Sequence, residues 1–503
     1  MSAGPVQPYA AVRETHSGVV FLVGDRAVKL KKPVDLGFLD FRDPAVRRAC
    51  CRREVDLNRR LAPDVYLGVG EFVGPDPAHT ESLVVMRRMP DSRRLSTLVR
   101  EGVPVTDDVA RIARMVAAFH AAAARSPAVS DQGTRAAIEG RWAASLAQVD
   151  PLAAGTLGRR RFAEISELVG EFVTGRDPLF ARRIATGRIV DGHGDLIADD
   201  IFCLADGPRI LDCLDFDDRL RFVDGLDDIC FLAMDLERLG APELGRLLLR
   251  HYTDLAGDPA PASLRHHFIA YRAFVRCKVS CLRYEQGDPI GAGESVEYAD
   301  LSIRHLRAGV VRMILVGGLP GSGKSTLAGL IADRLGAVVQ ATDRLRKERD
   351  GVPPGSTAAA PYRSGLYDPA HTDRTYTELL LRAEQLLGEG ESVVLDASWT
   401  DRRWRDRANR LAERVSARMS QIECWAPPAV RRDRLERRPA GLSDADPSIA
   451  DRMARDADPW PTATRLTTTE PAVRTLDEML RRIGIEPADG GNRSGAVGGR
   501  AGP

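Results

Sequence analysis

Lysine is nearly missing from this chain. It occurs six times in 503 residues, at Lys29, Lys31, Lys32, Lys278, Lys324 and Lys347, while arginine carries the rest of the positive charge. A chain that uses arginine wherever plain charge suffices keeps lysine where a slender point charge is needed. The 29–32 cluster and the solitary Lys324 are marked on that ground. Net charge is missing too: 72 basic residues stand against 71 acidic ones, for a formal charge of +1. No global basic field argues for a nucleic-acid partner, and there is no acidic tail. No apolar run of about 18 residues occurs, so no ordinary membrane span is expected. The N-terminal MSAGPVQPYA lacks the charged and apolar pattern of a secretion signal, and a cytoplasmic protein is expected. The eight cysteines are scattered. Cys277 and Cys281 are one helical turn apart, but no second Cys/His pair completes a metal site, so buried thiols in a reducing compartment are expected. No internal repeat is visible.

The length calls for two or three domains. Gly287-Asp288-Pro289 opens a turn cluster, followed by a helix expected to end near Gly309, and a new apolar strand begins just beyond. The reading is therefore a first domain over 9–309, a second over 310–487, and a Gly/Ala/Pro-rich, disordered tail over 488–503. The first domain starts with β-like segments: 19–23, a Gly-Asp turn, then 26–31. A helix is expected over 47–61 and a strand at 84–86. Val109, Ile112, Val116 and Phe119 share a helix face. Strand-like pieces return at 189–190, 201–204 and 210–214, the last two flanking a hairpin-like Ala-Asp-Gly-Pro turn. Helices are expected to fill 225–285. A small β-rich lobe joined to a large helical lobe is the implied shape.

The most informative stretch is Arg312 to Thr326, RMILVGGLPGSGKST. Met313 to Val316 reads as a buried strand. Gly318, Gly321, Ser322, Gly323, Lys324, Ser325 and Thr326 then match a phosphate-binding loop. Leu327, Leu330, Ile331 and Leu335 share one face of the helix that follows. Such a loop lets backbone N–H groups close round phosphates at a helix N-terminus. Lys324 can reach the β/γ-phosphates and Ser325 can bind Mg²⁺. A nucleoside triphosphate is the implied ligand. Downstream, a strand at 337–340 leads into Asp343, Arg346 and Lys347. Gly365-Leu366-Tyr367 follows, then a helix carrying Tyr376. Ser392 to Trp399 reads as an apolar strand ending in Asp396, which suits a Mg²⁺-binding or water-positioning carboxylate. Arg434 and Arg438 lie in a helix-period arginine run, either a solvated face or a lid over the triphosphate. Ser443 to Asp446 is a candidate hinge for that lid. These segments resemble the gluconate-kinase-like and polynucleotide-kinase-like group of small P-loop kinases. The resemblance implies an α/β domain with a parallel sheet. It also implies Asp343 as base toward an acceptor hydroxyl, and Arg346 as binder of acceptor phosphate or carboxylate.

The first domain carries a second constellation. Phosphoryl transfer to a hydroxyl needs a carboxylate base, metal-binding groups and a lysine for the phosphates, itself held by an acid. Lys29, Glu54, Asp195, Asp200 and Asp215 occur in that order, the acids around His193-Gly194-Asp195 and Leu214-Asp215-Phe216-Asp217. This resembles the aminoglycoside phosphotransferase-like, kinase-like fold, a bilobal α+β domain with a catalytic loop H-G-D-x-x-x-x-N. The resemblance implies Asp195 as catalytic base and Asp215 as principal Mg²⁺ ligand. It implies Lys29 as phosphate lysine, with Lys31 two residues on sharing its strand face, and Glu54 as its partner. Asp228 is implied as the acid that braces the loop. Two departures stand out. Asp200 occupies the asparagine position, and only Thr15-His16-Ser17-Gly18 stands where a Gly-rich loop belongs. If Asp195, Asp200 and Asp215 converge, three carboxylates share one small site. As a whole the chain resembles bacterial bifunctional proteins that join these two domain types. That resemblance implies ATP and Mg²⁺ as cofactors and a small-molecule hydroxyl acceptor. A nucleotide-sensing regulator with a degenerate first site is the alternative.

Overall fold

Alternating apolar residues close to the N-terminus build an antiparallel sheet in the order β1 (Ala10–Glu14), β2 (Gly18–Val23), β3 (Arg26–Lys31), β5 (Thr80–Arg87), β4 (Tyr66–Val73). The structure, a computed structural model, describes residues 8–14, 18–34, 40–74, 80–349, 351, 368–437, 447–469, 476 and 480–482. Thr15 to Ser17, Gly365 to Tyr367, Arg438, Ser443 to Asp446 and the 488–503 tail lie outside them. The chain divides into two units, residues 1–173 with 177–309, and residues 174–176 with 310–503.

In the first unit, the register sets Lys29 opposite Val20 on one side and Val84 on the other. Lys29 and Lys31 leave β3 on the same face because side chains repeat every second residue. Helix α1 (Pro44–Asn58) begins where Asp43 accepts the Ala45 N–H at 2.8 Å, with Pro44 in its first turn. It starts at Pro44 rather than the expected Arg47 and ends at Asn58 rather than Leu61. Its Cys51 and Val55 join Ala27, Val84 and Met86 of the sheet in one core, and the same face aims Glu54 at β3.

The helix Thr106–Ala122 buries Val109, Ile112 and Val116. Ile201–Leu204 and Gly207–Ile210 pair as a hairpin. The expected strand over 210–214 is corrected: it ends at Ile210, because Asp212 takes φ +61°, which no extended strand accommodates. Gly225–Arg238, Pro242–Ala256 and Ala262–Glu285 fill the helical region, and Ile290–Ala308 lies along the last of these, where Ser302 Oγ donates to the Ala270 carbonyl at 3.0 Å.

The second unit holds a wholly parallel sheet in the order Val338–Ala341, Val393–Asp396, Arg312–Gly317, Arg418–Trp425, Thr464–Thr467. Its central strand is covered on both faces, and Met313 to Val316 are fully buried. That is why the strand is an unbroken apolar run instead of an alternating one. No helix among the described residues is long and apolar enough to cross a membrane.

Candidate functional site

Parallel strands end on one edge of a sheet, and the loop after the central strand of the second unit lies on that edge. Gly321 holds φ +79°, and a Cβ there would sit 2.7 Å from the Arg431 carbonyl oxygen. Backbone conformation and backbone contact both exclude a side chain at this position. Gly321→Ala is expected to weaken nucleotide binding at this loop about tenfold or more, from the strain of a non-glycine residue there. Titration with a fluorescent ATP analogue checks this, and equal affinity would show a tolerant loop.

The helix Lys324–Leu335 starts at Gly323 with no capping side chain, so its first amides are available to an anion. Thr326 lies exposed in that first turn. Asp396, in register with Val316, ends the neighbouring strand. Burial pushes the Asp396 carboxyl up, while the Lys324 charge and the Ser325 hydrogen bond oppose the rise. Its Oδ1 is buried without a hydrogen-bond partner, as is Ser322 Oγ. Buried polar atoms are normally satisfied. A hydroxyl and a carboxylate with an unfilled oxygen beside a lysine fit a Mg²⁺-bound triphosphate, since Mg²⁺ is held by one or two carboxylates plus phosphates.

Asp343 and Arg346 lie one turn apart on the helix Thr342–Arg349 and pair at 2.8 Å. Asp343 adds to the upward push on Asp396, so the two acids share this edge. Tyr376 stands beside them. Burial raises its hydroxyl, and Arg346 and Asp343 both act on it. That hydroxyl also accepts the Trp399 N–H at 3.1 Å. Arg434 donates to the carbonyl oxygens of Gly321, at 3.4 Å, and of Thr468. Thr468 Oγ1 in turn donates to the Ser322 carbonyl at 2.6 Å. Thr468 was not marked in the sequence. It holds the loop from the far strand, and a lone threonine carries no pattern that would reveal it.

In the first unit, Lys29 Nζ lies 2.9 Å from Glu54 Oε1 and 2.8 Å from Asp212 Oδ1. Lys31 Nζ lies 2.8 Å from Glu54 Oε2 and 2.7 Å from Asp215 Oδ2. The lysines therefore share one acid and differ in the second. Lys29 is the more open, with 17% of its side chain exposed against 5% for Lys31.

The loop around Asp195 is fixed from behind. Asp228 accepts the N–H of His193 at 2.6 Å and of Gly194 at 2.9 Å, and His120 Nε2 lies 3.0 Å from it. Burial works against ionisation of Asp228, but the His120 hydrogen bond and nearby positive charge prevail and hold it below its ordinary range. Arg272 is paired to Asp227 through two nitrogens and donates to the Gly194 carbonyl at 3.0 Å. Gly194 itself has φ +89°.

Burial lifts Asp195 to about 6, with Asp212 adding to the rise and Arg276 and Arg272 opposing it. Burial, then Asp212 and Asp195, push Asp200 well above the usual carboxylate range. Asp195, Asp200 and Asp212 thus repel one another. They do not form a cage: among the described residues, no group of three or more His, Cys, Asp or Glu side chains is placed to hold a metal ion. Asp215 is engaged by Lys31, and burial raises it against that charge. The residue that faces Lys29 is Asp212. The expected strand over 210–214 hid it, although Leu211-Asp212 directly after a hairpin was a legible signal.

Residues 313–459 match the family described as AAA domain. Over 478 residues the chain is 44% identical to an uncharacterized protein of Mycobacterium tuberculosis and equally to one of Mycobacterium bovis, covering 94% of this chain and 95% of each relative. Among solved structures, a choline/ethanolamine kinase family protein from Mesorhizobium loti matches at 16% identity and TM-score 0.36, over 61% of this chain and 94% of that chain. A gluconokinase from Sinorhizobium meliloti 1021 matches at 19% identity and TM-score 0.25, over 35% of this chain and 91% of that chain.

Proposed function

The chain belongs to one family with the mycobacterial proteins that it matches along almost its whole length, and we propose that it is a Mg²⁺/ATP-dependent phosphotransferase with two nucleotide sites, acting on hydroxyl groups of small molecules. The observation that carries this reading is the unsatisfied Asp396 Oδ1 beside Ser325 and Lys324 at the mouth of a phosphate loop. At this site Lys324 and the loop amides bind the β/γ-phosphates. Arg434 steadies the loop through Gly321, and Asp343 takes the acceptor proton. Arg346 holds an anionic group of the acceptor.

At the first site Asp195 is the base, kept in place by Asp228 acting on the loop backbone. Lys29, anchored by Glu54, positions the phosphates. Asp200 and Asp212 are the carboxylates that would hold Mg²⁺, which supplies neutralisation of phosphate charge. Asp215 serves Lys31. A second reading, an ATP-binding regulator with a silent first site, rests on Lys29 being occupied by Asp212, a pair that phosphate must displace.

The test is a phosphate-transfer screen over sugars, aminoglycosides, nucleosides and 5′-hydroxyl oligonucleotides, using the full chain and single-site variants. Transfer to a small hydroxyl compound supports the kinase. ATP binding with slow hydrolysis and no acceptor throughout supports the regulator.

The acidic cluster yields a further expectation. With its carboxyl raised in the folded state, Asp200 costs stability as pH climbs above the unfolded value, and that cost is absent at low pH. Asp200→Asn should therefore raise the melting temperature of the metal-free protein near neutral pH and lose the gain toward about pH 4. It should also weaken Mg²⁺ and Mn²⁺ binding and reduce the protons that the metal displaces, measured by calorimetry in two buffers. Identical metal dependence in the two proteins would remove Asp200 from the site.

A further inference from the structure

Four helices of the first unit, Gly225–Arg238, Pro242–Ala256, Ala262–Glu285 and Ile290–Ala308, line a partly open cavity of about 370 Å³ that none of the site residues named above borders. That volume falls among those of small-molecule sites, about 300–1,000 Å³. Leu249 and Ile269 give it an apolar wall, and Arg250 and Arg265 line it with positive charge.

A chain of three titratable groups runs along its side. Glu237 Oε2 lies 2.8 Å from His305 Nε2, and His305 Nδ1 lies 2.9 Å from His266 Nδ1. Two lone pairs, or two N–H groups, cannot face each other at that distance, so these two nitrogens share one proton. With both rings neutral, His305 donates to Glu237, His266 donates to His305, and His266 Nε2 is left as an acceptor. With one proton more, His305 is the imidazolium between Glu237 and His266, and His266 Nε2 becomes a donor. Both states satisfy every contact in the chain.

The other charged groups around the chain favour negative charge in the cavity. Arg304 covers Glu237 at 2.9 Å, and Arg246 is tied to Glu243 on its own helix. Arg265 uses one nitrogen on the Ala260 carbonyl, at 2.9 Å, and Arg250 is exposed. Burial, then His305 and Arg265, depress His266 to about 3, so its ring is neutral in both states and only the place of its proton changes.

We propose that this cavity binds a small organic anion, its apolar body against Leu249 and Ile269 and its carboxylate or phosphoryl group against Arg250, Arg265 and His266 Nε2. Binding turns His266 Nε2 into a donor and brings one proton into the Glu237–His305–His266 chain. Calorimetry on the full chain with benzoate and with phenylphosphonate, each at about pH 6 and pH 8 in two buffers, tests this; the two probes separate carboxylate from phosphoryl preference.

The expected result is one-to-one binding of at least one probe, tighter at the lower pH, with net proton uptake. Arg250→Gln, an exposed substitution that spares the fold, should weaken it about tenfold, the worth of one charge-assisted hydrogen bond. His266→Gln should abolish the proton uptake. Saturating Mg·ATP should leave the affinity unchanged. The proposal is overturned if neither probe binds at millimolar concentration, if Arg250→Gln and Arg265→Gln both bind as the parent does, if no proton is taken up, or if ATP competes.

Discussion

Replacing Lys324 with alanine should cut ATP turnover at the second site about a thousandfold, the scale of losing one group that stabilises transition-state charge. Lys324 stands at the end of a loop, and on the proposed reading its charge serves phosphate, which the fold does not need. Its protein neighbour is Asp396, whose carboxyl should rise further once the lysine is gone. The loss will therefore combine a missing phosphate contact with a carboxylate less ready for Mg²⁺. Circular dichroism should be unchanged, because Leu327, Ala328 and Ile331 still pack the helix onto the sheet. Turnover is best measured in an Asp195→Asn background, so that the first site is silent. Activity equal to that of the parent would sink the phosphate-loop assignment.

Asp195→Asn should lower transfer by the first site by about 10²–10⁴, the contribution of a positioned general base. Asparagine keeps the shape of the side chain but cannot accept the hydroxyl proton. Nucleotide binding should persist, since Lys29, Glu54 and the Asp228 brace are untouched. A general base must be ionised to work, and burial lifts Asp195 to about 6. Parent activity should therefore fall as pH drops through about 6, one unit of pH costing about tenfold below that point. A flat profile from about pH 5 to 8, or full transfer by the variant, would move the base elsewhere.

What the sequence disclosed follows from how local each signal is. The phosphate loop is a contiguous string whose spacing is itself the geometry, and Lys29 and Glu54 sit on a strand and a helix whose periodicity was clear. Asp212 escaped because its left-handed backbone ends a strand that apolar pattern alone would extend. β4 and the strand Thr464–Thr467 escaped because glycines or polar residues interrupt their pattern. Thr468 and the His266–His305 pair escaped for another reason. They act through partners 146 and 39 residues away in sequence, and no spacing rule reaches that far.

The parallel sheet of the second unit also sets an order of events on the ribosome. Its central strand, Arg312–Gly317, is made first, yet the strands that flank it, Val393–Asp396 and Arg418–Trp425, are only the third and fourth of the five to leave the ribosome. At ordinary synthesis rates the interval is on the order of ten seconds. Until Val393–Asp396 emerges the most apolar segment of the unit has no partner, and until Arg418–Trp425 follows only one of its two edges is paired. A nascent chain should therefore gain nucleotide affinity abruptly, only after the strand ending at Trp425 has emerged. During the wait, the exposed 313–316 segment is where a holdase chaperone would be expected to act.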